Sequence, residues 1–168
     1  DQFVIGHVGN FCYQKNHYFL LDVFEEVHKK DSNTVLLLAG DGVRFEKVRQ
    51  IVAEKNLEDV VKLLGRRSDT DYLYQGMDAF LLPSNFEGLP IAGIEAQSAG
   101  LPCFMSDEIT KESKITEACY FIPLKSGAKY WAEEILDNRI ERQSAEFLDN
   151  AQQYDLANQD QELKSLIR

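Results

Sequence analysis

The stretch SNFEGLPIAGIEAQSAGLP, residues 84–102, carries two glutamates, Glu87 and Glu95, eight positions apart around a proline. Two chemistries use carboxylates in this way. A glycosidase sets an acid and a second carboxylate on either side of a scissile bond, which requires an open cleft with two walls. Nothing in the sequence supplies the second wall. A binding site instead uses carboxylates to accept hydrogen bonds from ligand hydroxyls. Glu87-Gly88-Leu89-Pro90 turns the chain into a helix, and Pro90 suits the first helical position, where its missing N–H costs nothing. Free amides at such a helix start favour an anion, a diphosphate among them. Glu95 lies about a turn and a half further on, at roughly 3.6 residues per turn. Its helix of Ala, Gly, Ile and Ser is expected to pack closely, so a carboxylate there needs hydrogen-bond partners: a ligand diol or buried amides. On spacing alone, Glu87 is equally a turn acid and Glu95 a partly exposed helical residue.

Two other loops carry candidates. In Gly9-Asn10-Phe11-Cys12-Tyr13-Gln14-Lys15-Asn16, Gly9 removes a side chain where the backbone leaves a strand, so an anion could approach the amides beside the point charge of Lys15. Read alone, the same loop is a turn glycine with a solvated lysine. Gly65-Arg66-Arg67-Ser68-Asp69 offers two adjacent cations. His7, inside an apolar run, and His17, at the first turn of a helix, read as structural residues.

The elements that must position these loops follow from the hydrophobic pattern. Phe3–Val8, Thr34–Ala39, Val60–Leu64, Ala79–Leu82, Cys103–Met105 and Tyr120–Ile122 are short apolar runs of strand type. Between them, Leu20, Val23, Phe24 and Val27 mark a helix with Asn16 as N-cap and His28-Lys29-Lys30 at its end. Phe45, Val48, Ile51 and Val52 mark a second, Asp71–Gln75 a short third, and Ile91–Ala99 a fourth that ends at Gly100 with Pro102 beyond. Residues 128–168 read as terminal helices, with a stripe of Trp131, Ile135, Leu136 and Ile140 and a weaker one of Leu156, Leu163, Leu166 and Ile167. Unbroken apolar strands alternating with helices predict an α/β fold, a doubly wound parallel sheet of about six strands. Such sheets bind ligands beyond the carboxyl ends of their strands, where all three candidate loops fall.

Composition narrows the partners. A chain of 168 residues, 44% hydrophobic, suffices for one domain with a real core. A formal charge of −10 opposes a surface built for nucleic acid or an anionic membrane, while leaving room for one basic pocket. Cys12, Cys103 and Cys119 lack metal or disulfide spacing, which suits core or near-core thiols in a reducing compartment. No uninterrupted apolar run approaches bilayer length, so a soluble domain is expected. The apolar run that begins at Phe3 without a lead-in suggests a fragment cut at a domain boundary.

Together GNFCYQKNH, LLLAGDG, LGRRSD and LPSNFEGLPIAGIEAQSAGLPC, in this order and spacing, resemble the retaining glycosyltransferases of family 4, and more closely the bacterial members that build exopolysaccharide or capsule. The resemblance runs from about Phe3 to Leu124 and extends plausibly through the terminal helices. It implies half of a GT-B fold, the Rossmann-like domain that binds a nucleotide-sugar donor, with the N-terminal acceptor domain missing from residues 1–168. By that resemblance Glu95 holds the ribose hydroxyls and Glu87 the hydroxyls of the transferred sugar. The amides of Gly88, Leu89 and Ile91 face the diphosphate beside Gly9, and Lys15 neutralises the leaving group. The family usually sets an arginine after the glycine; here Asn10 can donate a hydrogen bond but brings no charge. Gly65-Arg66-Arg67 matches the segment that edges the nucleobase, and either arginine could replace the missing cation.

The reaction so implied transfers a sugar, UDP-linked by family frequency, with retained configuration and without metal, cofactor or protein nucleophile. The implied acceptor is a glycan or lipid-linked molecule, the place cytoplasmic, with peripheral membrane association of the full-length protein. An isolated fragment of this kind is expected to be inactive. The alternatives are a non-catalytic nucleotide-binding module of the same fold and a GT-B nucleotide-sugar epimerase.

Overall fold

The computed structural model describes residues 2–139. It contains one six-stranded sheet with every neighbouring pair parallel. The strands are β1 (Phe3–Val8), β2 (Thr34–Ala39), β3 (Val61–Gly65), β4 (Ala79–Leu82), β5 (Cys103–Ser106) and β6 (Cys119–Ile122), in the order β3-β2-β1-β4-β5-β6. Helices α1 (His17–Lys30), α2 (Phe45–Glu54), α3 (Thr70–Gln75) and α4 (Ile91–Ser98) connect them, and α5 (Gly127–Asp137) follows β6. Each element expected within these residues is present, with ends shifted by a residue or so. Ile140 of the first terminal stripe and the weaker stripe of Leu156 to Ile167 lie outside the described residues.

Side-chain alternation divides the core in two. Ile5, Leu36, Leu38, Leu81 and Phe104 point into a cluster with Leu20, Phe24 and Val27 of α1, Val48 and Val52 of α2, and Trp131 and Ile135 of α5. Phe80, Leu82, Cys103 and Met105 enter a second cluster with Tyr74 of α3, Ala96 of α4, and Met77, Leu101 and Ile109 from loops. Adjacent residues of β4 and β5 thus serve opposite faces, which is why β4 is apolar throughout and β5 is apolar up to Ser106, whose buried hydroxyl donates to Ser84 O. Trp131 donates its indole N–H to Pro123 O, 3.0 Å away, and so anchors α5. Cys103 and Cys119 are buried free thiols, in keeping with their reading as core residues.

Two local expectations are corrected. Asn16 occupies the N-cap position of α1, yet its side chain makes no cap bond. It sits in the left-handed region, φ 55°, and its amide reaches across to donate to Pro83 O at 3.1 Å. A side chain used to join two loops is not available to cap a helix. Pro90 stands one position outside α4, with ψ 85°, and its carbonyl accepts from the Gly93 and Ile94 amides. The expected stop of α4 holds: Gly100, φ 79°, donates to Gln97 O.

The carboxyl edge is tightly laced. Gly9 donates to Ala39 O, Phe11 to Asp41 O, Gly40 to Gly65 O and Arg44 to Phe11 O, all at 2.8–3.0 Å, so the ends of β1, β2 and β3 form one unit. Gly40, φ 144°, allows the close crossing, since a Cβ there would overlap the Gly9 carbonyl oxygen. Gly40→Ala is therefore expected to cost at least about 2 kcal/mol of stability in urea unfolding, from backbone conformation and overlap together. Stability unchanged by that substitution would contradict the crossing.

Candidate functional site

In a doubly wound parallel sheet the loops part company where the strand order reverses, and the crevice opens at that point. Here the reversal lies between β1 and β4. The loop after β1 carries Gly9 to Asn16; the loop after β4 carries Pro83 to Pro90. Their backbones are joined by Asn85 N–H to Gln14 O at 2.8 Å, and the Asn85 side chain adds a bond from Nδ2 to the Tyr13 backbone carbonyl at 2.7 Å.

Glu87 is the centre of this junction. Its Oε1 accepts from Lys15 Nζ at 2.5 Å and from Ser84 Oγ at 2.9 Å, and its Oε2 accepts from Gln14 Nε2 at 2.8 Å. The side chains of Glu87 and Lys15 are only 6% and 15% exposed. A carboxylate so covered is tolerable because three donors, one of them cationic, meet it. The sequence left a solvated lysine and a turn acid open as readings; the structure pairs the two instead.

Gly9 explains how Lys15 reaches this place. A Cβ on Gly9 would come within 2.9 Å of His7 Nε2 and 3.2 Å of Lys15 Cε, so the glycine makes room for both side chains. Beside it opens a cleft of about 370 Å³ over the ends of β1, β2 and β3, lined among others by Gly9, Asn10, Asp41, Gly42, Arg66 and Arg67. Asn10 leans toward Gly42, where a Cβ would lie 2.6 Å from its Oδ1. The two arginines differ. Arg67 is held by Asp69 through two parallel hydrogen bonds, at 2.8 Å from Nε and 2.5 Å from Nη2, and this partnership holds the Asp69 carboxyl below its ordinary range. Arg66 is exposed on the same cleft and makes no ion pair among the described residues.

Across β4 the start of α4 is open. The Gly93 and Ile94 amides already donate to Pro90 O, whereas those of Ile91 and Ala92 precede them and have no intrahelical carbonyl to reach. Gly88, Leu89 and Ile91 are exposed along this rim. Glu95 corrects the expectation of a close-packed carboxylate: it is exposed, because Gly93, Ile94, Ala96 and Gln97 supply the buried face of α4. Its Oε2 accepts from Tyr74 Oη at 2.9 Å. The buried polar residue of this helix is Gln97, whose amide donates to Gly93 O and Ser113 O while its oxygen accepts from the Ile115 and Thr116 amides.

The family model for glycosyl transferases group 1 matches residues 1–155. This chain belongs to that family. Among its relatives, EpsF of Bacillus subtilis (strain 168), named as a glycosyltransferase, is 38% identical over 112 residues, 67% of this chain and 29% of that protein. The capsular polysaccharide biosynthesis glycosyltransferase CapH of Staphylococcus aureus is 30% identical over 168 residues, 95% of this chain and 46% of its own length. The chain thus spans less than half the length of these relatives. The fold matches the pneumococcal O-GlcNAc transferase GtfA, solved with UDP and GlcNAc, at a TM-score of 0.83 and 21% identity over 99% of this chain and 36% of that one.

For this glycosyltransferase domain the sequence missed Gln14, Ser84 and Tyr74 as partners of the two glutamates. Gln14 was visible as the neighbour of Lys15. Tyr74 gave no signal, being 21 residues from Glu95 in sequence. No helix among the described residues is long and apolar enough to cross a membrane.

Beneath the junction lie two buried histidines, their rings edge to face at 4.8 Å, with Phe11 stacked on His17 at 4.0 Å. His7 Nδ1 lies 2.8 Å from Leu81 O; a carbonyl only accepts, so Nδ1 carries the proton and Nε2 is a lone pair. Burial is the chief cause that lowers His7 to about 4, with Lys15 adding to it and the Leu81 hydrogen bond opposing. His17 is lowered further, first by burial and then by His7, Lys15 and Arg44. Both ordinary values are 6.5, so the unfolded chain binds protons that the folded chain refuses. Their contribution to stability is complete above pH 6.5 and declines as pH falls toward 4. His17→Phe is expected to flatten the loss of stability between about pH 6.5 and 4.5 in urea titrations; an unchanged slope would contradict a neutral buried His17.

Proposed function

We propose that this chain is the donor-binding part of a retaining glycosyltransferase that moves a sugar from a nucleoside-diphospho-sugar, UDP-linked, to a glycan or lipid-linked acceptor in polysaccharide synthesis. The observation that carries the reading is the meeting of Lys15 and Glu87 at the strand-order reversal, between an open cleft and an uncapped helix start. The nucleotide base occupies the cleft side near Arg66 and Arg67, and the ribose turns toward Glu95 on α4. The diphosphate lies between Gly9, Lys15 and the amides of Gly88, Leu89 and Ile91. The sugar reaches Glu87. UDP bound to GtfA, and to the Anabaena protein Alr3699/HepE of the same fold, supports the choice of nucleotide.

Charge builds on the diphosphate as the bond from the sugar C1 to its oxygen breaks. Lys15 and the helix-start amides are fixed before that happens, so little reorganisation is required. Lys15 has three protons to donate. It can therefore turn one toward the diphosphate while Gln14 and Ser84 continue to hold Glu87 for the sugar hydroxyls. Asn10 leaves the leaving group with one side-chain cation where the family usually has two. Arg67 is committed to Asp69, so any compensation from this cleft falls to Arg66. No metal is assigned to the reaction, and the acceptor contacts are assigned to chain beyond residues 1–168.

Titration calorimetry with UDP tests the assignment. The chain is expected to bind UDP, and Glu95→Ala to weaken it about tenfold or more, the loss of hydrogen bonds to a charged acceptor. Full affinity in that variant would remove Glu95 from the site. Asn10→Arg is expected to tighten UDP by on the order of 1 kcal/mol through a charge-assisted contact. Weaker binding would show that Asn10 does not face the diphosphate.

A further inference from the structure

Glu95 stands on the exposed face of α4, where a glutamate ordinarily samples many rotamers. Here it does not stand alone. The Tyr74 hydroxyl, from the short helix α3 on the other side of β4 in sequence, donates to its Oε2 at 2.9 Å. We propose that Tyr74 is a positioning residue, whose hydroxyl holds the Glu95 carboxylate ready for the ribose diol and so sets nucleotide affinity without touching the nucleotide. The inference rests on the assignment of Glu95 to the ribose.

Three features suit Tyr74 to this work. The residue is 3% exposed, and its ring packs in the second core cluster, edge-on to Phe80 at 5.9 Å. The position of the hydroxyl is therefore fixed by the core rather than by the surface. Its one proton has Glu95 Oε2 and Ala92 O, the latter at 3.3 Å, among the acceptors within reach. The charged and nearer one is the stronger, and the carbonyl satisfies the hydroxyl when Glu95 turns away. Burial and the adjacent Glu95 charge raise the Tyr74 phenol, which keeps it a donor at all working pH. With Oε2 so engaged, Oε1 is left to accept from the ligand. A carboxylate ordered in advance spares the nucleotide the cost of ordering it on binding.

The same arrangement gives α3 a purpose. This helix has only six residues, Thr70–Gln75, and Tyr74 is its buried member. The segment thus links the loop that carries Arg66 and Arg67 to the carboxylate on α4.

Tyr74→Phe in the 168-residue chain removes the hydroxyl and keeps the ring. Calorimetry with UDP and with 2′,3′-dideoxy-UDP reads the consequence. Tyr74→Phe is expected to weaken UDP about three- to tenfold, to leave dideoxy-UDP at wild-type affinity, and to add nothing in a Glu95→Ala background. Unchanged UDP affinity in Tyr74→Phe would overturn the proposal. So would an equal loss on both nucleotides, the mark of a general structural effect, and a thermal unfolding curve on each variant separates that effect from misfolding. If Glu95→Ala binds UDP as the wild type does, the ribose assignment itself falls, and the role of Tyr74 with it.

Discussion

A carboxylate that is 6% exposed has to be met by donors, and Glu87 is met by three: Lys15, Gln14 and Ser84. Two of them come from the loop after β1 and one from the start of the loop after β4, so satisfying the charge also fixes the distance between the loops. The desolvation that would make a lone carboxylate costly thus becomes a constraint on geometry. Asn85 and Asn16 repeat the connection in neutral hydrogen bonds, from Asn85 to Tyr13 O and from Asn16 to Pro83 O. The crevice at the strand-order reversal, the placement of Lys15 and the entry angle of α4 all depend on this junction.

The sheet supplies the rest. Because all six strands are parallel, Gly9, Gly40, Gly65 and Pro83 leave it at one edge, and the three loops of interest meet there without further contrivance. A domain with a formal charge of −10 can still present a small anion site, since Arg66 and the α4 amides lie near Lys15, while Glu87 and Asp69 are each already met by a cation. Local arrangement, rather than net charge, decides what anion is held. His7 and His17 contribute by staying neutral beneath it: charged, they would compete with Lys15 for the same field.

Periodicity made the framework legible. Continuous apolar runs gave the strands, and the i, i+3, i+4, i+7 stripe of Leu20 to Val27 gave α1, because both patterns are local consequences of burial. Proline, glycine and asparagine were legible only in part. Gly100 ends α4 as its position suggests, but Asn16 spends its side chain on Pro83, and Pro90 stays non-helical just outside the helix. For Asn16 a contact distant in sequence overrode the local preference. The motifs placed Lys15, Glu87 and Glu95 as residues of interest, while spacing could not say which donors would meet them. Glu95 shows the limit from the other side: small neighbours suggested burial, but the helix turns Gly93 and Gln97 inward and leaves Glu95 at the surface beside Tyr74.

The central claim, that a nucleoside diphosphate sits across the junction of the β1 and β4 loops, is tested most directly by amide chemical-shift mapping of the 15N-labelled chain titrated with UDP. The largest shifts are expected at Gly9, Asn10, Arg66, Gly88, Ile91 and Glu95, with the opposite edge of the sheet, around Asn33 and Asp78, unmoved. Shifts confined to that opposite edge, or a spectrum that UDP leaves unchanged, would contradict it.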